Sequence, residues 1–222
     1  MDGDDSRLAQ LKRDLPVARQ ALDKVGAALG AARRQAAGPL IKAVHEVIAA
    51  LGMAEARLEV EIEARPGEPH PDGGERVQLQ LAANTGEPAR PLVEVVSGGE
   101  LSRLLLAVKR ACGADPVPVC VYDEVDAGLG GTTGVVLGRY LAELGRQQQV
   151  ICITHLPQIA AAADRQIHVS KAETGGRVRT SATTLAPAAR RAELARMLGG
   201  AVDERTALAH ADALLVGRPG PG

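Results

Sequence analysis

The sequence has no phenylalanine, no tryptophan and only two tyrosines among its 222 residues. A core must therefore be built from Leu, Val, Ile and Ala, and little is left for stacking nucleic-acid bases on aromatic rings. Charge of either sign is also missing in the net: 26 Lys and Arg against 27 Asp and Glu leave −1. No global positive field draws the chain to DNA, so a contact of that kind needs a local patch or another part of a protein. The three cysteines, Cys112, Cys120 and Cys152, have no metal-ligand spacing. Two of them fall in apolar stretches and read as buried, reduced thiols of a cytosolic protein. No apolar run reaches the ~18 residues of a membrane span, and the acidic start Met1-Asp2-Gly3-Asp4-Asp5 is unlike a secretory signal. The dipeptide Gly-Lys never occurs, so the phosphate-wrapping loop Gly-x-x-x-x-Gly-Lys-Ser/Thr is absent.

What is present begins with a heptad pattern. Leu8, Leu11, Leu15, Ala18, Leu22, Val25, Leu29, Ala32 and Ala36 recur in alternating steps of three and four, the spacing of a coiled-coil strand. Pro16, Gly26 and Gly30 interrupt it, and a single amphipathic helix packed on a domain fits the same residues. Gly38-Pro39 is expected to restart a helix whose stripe is Leu40, Ile41, Val44, Val47, Ile48 and Leu51, with Gly52 at its stop. Leu58, Val60 and Ile62 alternate with glutamates, and Val77, Leu79 and Leu81 alternate after a Pro- and Gly-rich loop, predicting a hairpin. From Leu101 the pattern turns to helices alternating with short apolar strands at Val117 to Tyr122 and Val150 to Ile153. These strands are expected to be buried on both faces of a parallel sheet. Ile167 to Ser170 and Val178 to Thr183 read as further strands, and two helices close the chain. The organisation expected is an arm over 1–37, a globular part over 38–216 and a disordered tail over 217–222.

Three stretches carry chemistry. Ser97-Gly98-Gly99-Glu100 stands before a helix, where unpaired N–H groups and the dipole attract phosphate and glycines let it come close. The same residues also spell an ordinary capping box. Asp123-Glu124 ends an apolar strand, the edge at which α/β sheets bind ligands. Adjacent acids there suit a magnesium ion at Asp123 and an attacking water at Glu124; a solvated pair of acids is the plainer reading. Asp126 follows in a Gly-rich turn, either as a turn residue or as one that reaches across an interface. Thr154-His155 ends the next strand, where an imidazole can meet a terminal phosphate. Gln158 is either polar lining or a plain helix residue.

In their order, these motifs resemble the ATPase heads of the ABC class, in particular the SMC-like branch with coiled coils. The stretches Ser97 to Arg103, Tyr122 to Gly128, Ile153 to Ala160, Val169 to Lys171 and Glu193 to Gly200 are most similar to the RecN family of bacterial DNA repair proteins. The resemblance implies an α/β fold, the C-terminal lobe of a P-loop ATPase head. Its sheet would be mostly parallel with flanking helices, preceded by a small antiparallel sheet and a coiled-coil helix. It implies ATP and Mg2+ as ligands. Ser97, Gly98, Gly99 and Glu100 would form the signature that touches the nucleotide of an opposing head. Asp123 would end Walker B and serve magnesium through water. Glu124 would be the catalytic base, Asp126 part of the D-loop and His155 the switch histidine, with Gln158 beside the nucleotide. The partners implied are an N-terminal half carrying Walker A or a full-length partner head, a head-to-head homodimer, and the ends of broken DNA. No membrane is implied; the place is the cytoplasm, at the nucleoid. The associated processes are double-strand break repair, recombination and the SOS response. Because the chain starts inside the returning coiled-coil arm, the isolated chain is expected to be inactive. A non-catalytic module that pairs with other SMC-like heads is the alternative.

Overall fold

The computed structural model describes residues 2–65, 67, 70–95, 97–113, 117–174, 177–199 and 204–217. The chain divides into two compact units, residues 1–45 with 56–95, and residues 46–55 with 96–222. The expected tail from 218 onward lies outside the described residues.

Helix α1 (Asp2–Ala50) runs unbroken for 49 residues with Pro16 and Pro39 inside it. The restart expected at Gly38-Pro39 is thus not a break. Each proline removes one i→i−4 bond and strands the carbonyl of Lys12 or Gln35. Both of those residues are exposed, so water can take the place of the lost donor. Beyond Pro39, the buried side chains of Val44, Val47 and Ile48 keep the helix on its course.

In the first unit the heptad residues Leu8, Leu11, Leu15, Leu22, Val25 and Leu29 are all 38–68% exposed. The base of this arm is pinned to a hairpin of β1 (Arg57–Ala64) and β2 (Glu75–Ala82). Arg33 donates to the Asp72 carbonyl at 2.6 Å and Arg34 pairs with Glu75. Gly73, at φ +93°, has Leu29 Cδ2 2.8 Å from where a Cβ would stand, so the turn requires glycine. The hairpin is antiparallel with Leu58 opposite Leu81, Val60 opposite Leu79 and Ile62 opposite Val77, as the alternation predicts. The short strand β3 (Arg90–Pro91) joins β2, followed by a turn of helix α2 (Leu92–Val95). Val44, Leu58 and Leu81 are fully buried, and His45 Nε2 accepts the Leu58 N–H at 2.8 Å.

The second unit contains the alternating part. Helix α3 (Gly98–Cys112) precedes strand β4 (Val119–Tyr122), helix α4 (Gly131–Leu144) and strand β5 (Gln149–Cys152). Strands β4 and β5 pair in parallel, Cys120 beside Val150 and Tyr122 beside Cys152, with α4 as the crossover. Among the described residues this is the one parallel pair. It is not buried on both faces as expected. Cys120 and Tyr122 point into the core, whereas Val119, Val121, Ile151 and Ile153 are exposed. Helices cover one face, and the other is left largely open.

After β5 come helix α5 (Pro157–Ala162), the antiparallel hairpin of β6 (Ile167–Thr174) and β7 (Arg177–Thr184), and helices α6 (Pro187–Leu198) and α7 (Glu204–Val216). Ala160, Ala161, Leu194, Ala195, Ala207 and Ala211 form one small apolar cluster that joins α5, α6 and α7. Within it Arg190 is 8% exposed. Its guanidinium donates to the carbonyls of Ala160, Ala161 and Ala163 at 2.8, 3.0 and 2.6 Å. These are carbonyls at the end of α5 that have no helical partner, and a cation there also suits the helix dipole. Arg190→Met keeps the bulk and deletes the donors. It is expected to lower unfolding free energy by about 2–4 kcal/mol, read as a reduced urea midpoint with an unchanged m-value.

Candidate nucleotide-facing site

Three backbone ends meet at one edge of the second unit. Strand β4 delivers Asp123 and Glu124, the neighbouring parallel strand β5 delivers Thr154 and His155, and the first turn of α3 lies against the loop that follows β4. Parallel pairing makes this juxtaposition unavoidable. Tyr122 and Cys152 are register partners, so whatever follows each of them emerges on the same side.

At α3, Ser97 is the N-cap and the capping box with Glu100 is complete. Glu100 Oε2 accepts the Ser97 N–H at 3.0 Å and the Ser97 hydroxyl at 2.9 Å. Those bonds, the backbone one foremost, hold the Glu100 carboxyl below its ordinary range against a smaller opposing effect of burial. The capping reading and the phosphate reading are therefore compatible, because Ser97 and Gly98 remain exposed.

The loop from Asp123 to Ala127 is shaped from α3. Ser102 Oγ donates to the Asp123 carbonyl at 3.2 Å. Arg103, 6% exposed, donates to the carbonyls of Val125 and Ala127 at 3.4 and 2.9 Å. Burial lowers the pKa of this guanidinium, and the nearby Glu100 carboxylate partly restores it. A Cβ on Gly99 would stand 2.9 Å from the Glu124 carbonyl oxygen and 2.9 Å from Ala127 Cβ. Glycine is what allows the helix and the loop to touch. Glu124 itself has φ +55°, the one positive φ outside glycine among the described residues. A conformation costing roughly 1–3 kcal/mol persists only where the surroundings impose it, and here α3 does so.

Asp123 and Glu124 are both exposed, and a Cβ on Gly98 would lie 3.1 Å from Glu124 Oε2. The Glu124 carboxylate thus rests near the positive end of α3. Asp126 behaves differently. Its side chain is turned inward and is 3% exposed. Its Oδ2 accepts the Thr154 hydroxyl and, at 3.0 Å, the His155 N–H, and lies 3.2 Å from His155 Nδ1. The His155 side chain is 70% exposed. Gln158 stands on the first turn of α5 against Gly134 of α4, and its Oε1 finds no hydrogen-bond partner among the described residues.

Ser97, Gly98, Gly99, Asp123, Glu124 and His155 were named as site residues from the sequence, and the structure brings them to one edge. Sequence reasoning gave no role to Ser102, Arg103 or Thr154. Arg103 carried a readable signal, because it falls in helical phase with the buried Gly99, Leu106 and Ala107. A cation in an apolar stripe must find acceptors.

No cluster of three metal-ligating side chains exists among the described residues. The donor set nonetheless fits Mg2+, which takes one or two carboxylates and fills its shell with water and substrate phosphate; exposed Asp123 is such a donor. Below His155 an open groove of about 1140 Å3 runs along β5 and β6, past Ile151, Ile153, Ile167 and Val169.

No family model matches the chain. In fold it is similar to the Smc head domain with a coiled coil and joint from Pyrococcus yayanosii, at TM-score 0.58 and 20% identity over 88% of this chain and 36% of that one. The Smc head domain from Pyrococcus furiosus gives TM-score 0.52 and 18% identity over 81% and 43%. The chain thus has the fold of SMC head domains. In sequence the chain is 44% identical over 209 residues to the DNA repair protein RecN of Streptomyces coelicolor, covering 89% of this chain and 36% of that protein. It is 42% identical over 217 residues to RecN of Deinococcus radiodurans, covering 98% and 38%. It is a RecN-type chain and corresponds to a C-terminal portion of such a protein. It spans little more than a third of the length of these curated relatives.

Two measurements check the geometry. Gly99→Ala should destabilise the chain by about 1–3 kcal/mol, despite alanine's better helix propensity, because loop backbone must move; thermal melting reads it. The Cys152 thiol is pushed up to about 12 by burial and then by the charges of Asp126 and Asp123. In the unfolded chain a thiol ionises near about 8.5. Stability from this group is therefore whole below that pH and is lost as pH rises toward the folded value. Melting temperature should fall over this alkaline range less in Cys152→Ala than in the parent. At neutral pH, alkylation should reach the exposed Cys112 first.

Proposed function

We propose that this chain is the C-terminal part of a RecN-type ATPase that acts in the repair of DNA double-strand breaks. It would contribute the signature, the Walker B acids and the switch histidine to a composite ATP site. The observation that carries the reading is the placement of Asp123-Glu124 and Thr154-His155 at the same ends of two paired parallel strands. The RecN-type sequence supplies the context.

In this reading Glu124 orients and deprotonates the water that attacks the terminal phosphate, and Asp123 would serve Mg2+ through water. When bound, the metal neutralises phosphate charge and draws electrons from the bond that breaks. His155 offers a hydrogen bond to the terminal phosphate. Ser97, Gly98 and the backbone N–H groups of α3 serve the nucleotide of an opposing head, so two heads close on two ATP molecules. Asp126, placed by resemblance in the D-loop, and Gln158 support the nucleotide's surroundings. The phosphate-wrapping loop comes from an N-terminal segment or a partner head. The exposed apolar side chains of β4 and β5 suit the strands of that segment, and the heptad seam of residues 1–37 suits a second helix. DNA contact and a place at the nucleoid belong to the assembled protein.

The test is reconstitution. The isolated chain should turn over almost no ATP. Addition of an N-terminal segment from a RecN relative should restore turnover. Glu124→Gln should then lower kcat on the order of 10²–10⁴-fold and trap ATP-bound dimers in size exclusion. Strong hydrolysis by the chain alone, or indifference to Glu124→Gln, refutes the assignment.

A further inference from the structure

The inward turn of Asp126 gives this residue a task separate from any contact between heads. We propose that Asp126 is a positioning residue for His155. Its buried carboxylate fixes the imidazole with the proton on Nδ1, so that Nε2 faces outward as the working nitrogen. That task rests on the phosphate-contacting role proposed for His155, but the geometry behind it does not.

Two hydrogen bonds and one close approach meet on one oxygen. Asp126 Oδ2 accepts the Thr154 hydroxyl and, at 3.0 Å, the His155 N–H, and His155 Nδ1 lies 3.2 Å from the same oxygen. A carboxylate accepts and cannot donate, so the ring nitrogen facing it carries the proton. Nε2 is then the nitrogen left to solvent, on a ring that is 70% exposed. The backbone bond matters equally, because it fixes the Cα from which the ring projects. Thr154 completes the lock: its Oγ1 donates to Asp126 and accepts the Leu156 N–H at 3.0 Å. The residues on both sides of His155 are thereby held. A carboxylate that is 3% exposed with these partners meets little competition from water, and a histidine's partner at one nitrogen sets what the other can do. Arg103 holds the Val125 and Ala127 carbonyls on either side of Asp126. The clamp therefore starts from a fixed point on α3.

The experiment is nitrogen-15 NMR of the histidine side chains in the full 222-residue chain, at about pH 8.5, above the ordinary imidazole range. His155 is assigned by the signal lost in His155→Ala. The wild-type chain should show His155 as the Nδ1–H tautomer. Asp126→Asn keeps the size but replaces one oxygen by a donor, and should move the population toward Nε2–H with the remaining amide spectrum unchanged. Should Asp126→Asn fail to fold, the wild-type tautomer still decides. Thr154→Val gives a second variant that keeps the ring on Nδ1–H while the backbone around His155 broadens. An Nε2–H tautomer in the wild type, or no change in Asp126→Asn, overturns the proposal. In the reconstituted ATPase, Asp126→Asn should lower kcat on the order of 10–100-fold with KM for ATP little changed; full turnover overturns the positioning role. Failure of reconstitution itself would count against the ATPase reading and leave the tautomer result to judge Asp126.

Discussion

The loop from Asp123 to Ala127 has only turn bonds of its own, Ala127 N–H to the Glu124 carbonyl and Leu129 N–H to that of Asp126. Its shape is imposed from outside, chiefly by one buried guanidinium. Arg103 meets the loop at two carbonyls, and Gly99, one turn earlier on α3, lets the backbones touch. With both in place Glu124 is held at a positive φ that its side chain does not favour. Remove either, and the loop has no reason to keep that path. The exposed acids at the strand end owe their direction to a helix that is itself positioned by burial of Leu104, Leu106 and Ala107.

A second layer of order then passes from the loop to the next strand. Asp126 extends the fixed path across to Thr154 and His155. Arg103 and Asp126 have opposite charges, but they do not neutralise one another; each satisfies backbone or side-chain groups on a different element. A buried ion is tolerable when hydrogen bonds replace part of its hydration: Arg103 has two loop carbonyls and the nearby Glu100 carboxylate, and Asp126 has the Thr154 hydroxyl and the His155 N–H. The division of labour is clean. Groups proposed to meet nucleotide, among them Ser97, Asp123, Glu124 and His155, are exposed, whereas the groups that aim them are inside.

That division explains what could be read from the sequence. Regular elements were legible because periodicity reports burial: the hairpin of Leu58 and Leu81, the helices α3 and α4, and the strands that end in Asp123 and near Thr154 all stand where the pattern puts them. The turn carrying Asp126 has no period, so nothing in the letters shows that its side chain points inward. Arg103 and Arg190 were legible in principle, as charges in phase with buried neighbours, but the acceptors they reach lie 22 to 30 residues away in sequence. Pro39 misled for a related reason. A proline in a helix costs one hydrogen bond and some steric strain, and whether that breaks the helix depends on burial further along, at Val44, Val47 and Ile48. The open face of β4 and β5 misled most. An apolar strand reads as buried on both sides whether or not the covering layer belongs to the same chain segment.

That open face also bears on how the site would work. Charge developing on a transferring phosphate is stabilised best by fixed dipoles where water is excluded. Here the side chains proposed to react are exposed, whereas Arg103 and Asp126 are buried. Preorganisation without enclosure gives aim but little electrostatic strength. In the proposed assembly the missing enclosure and the missing phosphate loop arrive together, because one added layer over β4 and β5 would supply both. An ATP site split in this way is quiet until its halves meet. In that assembly the proposed clamp through Asp126 would keep His155 ready in the meantime, so that closure would cost little reorganisation on this side.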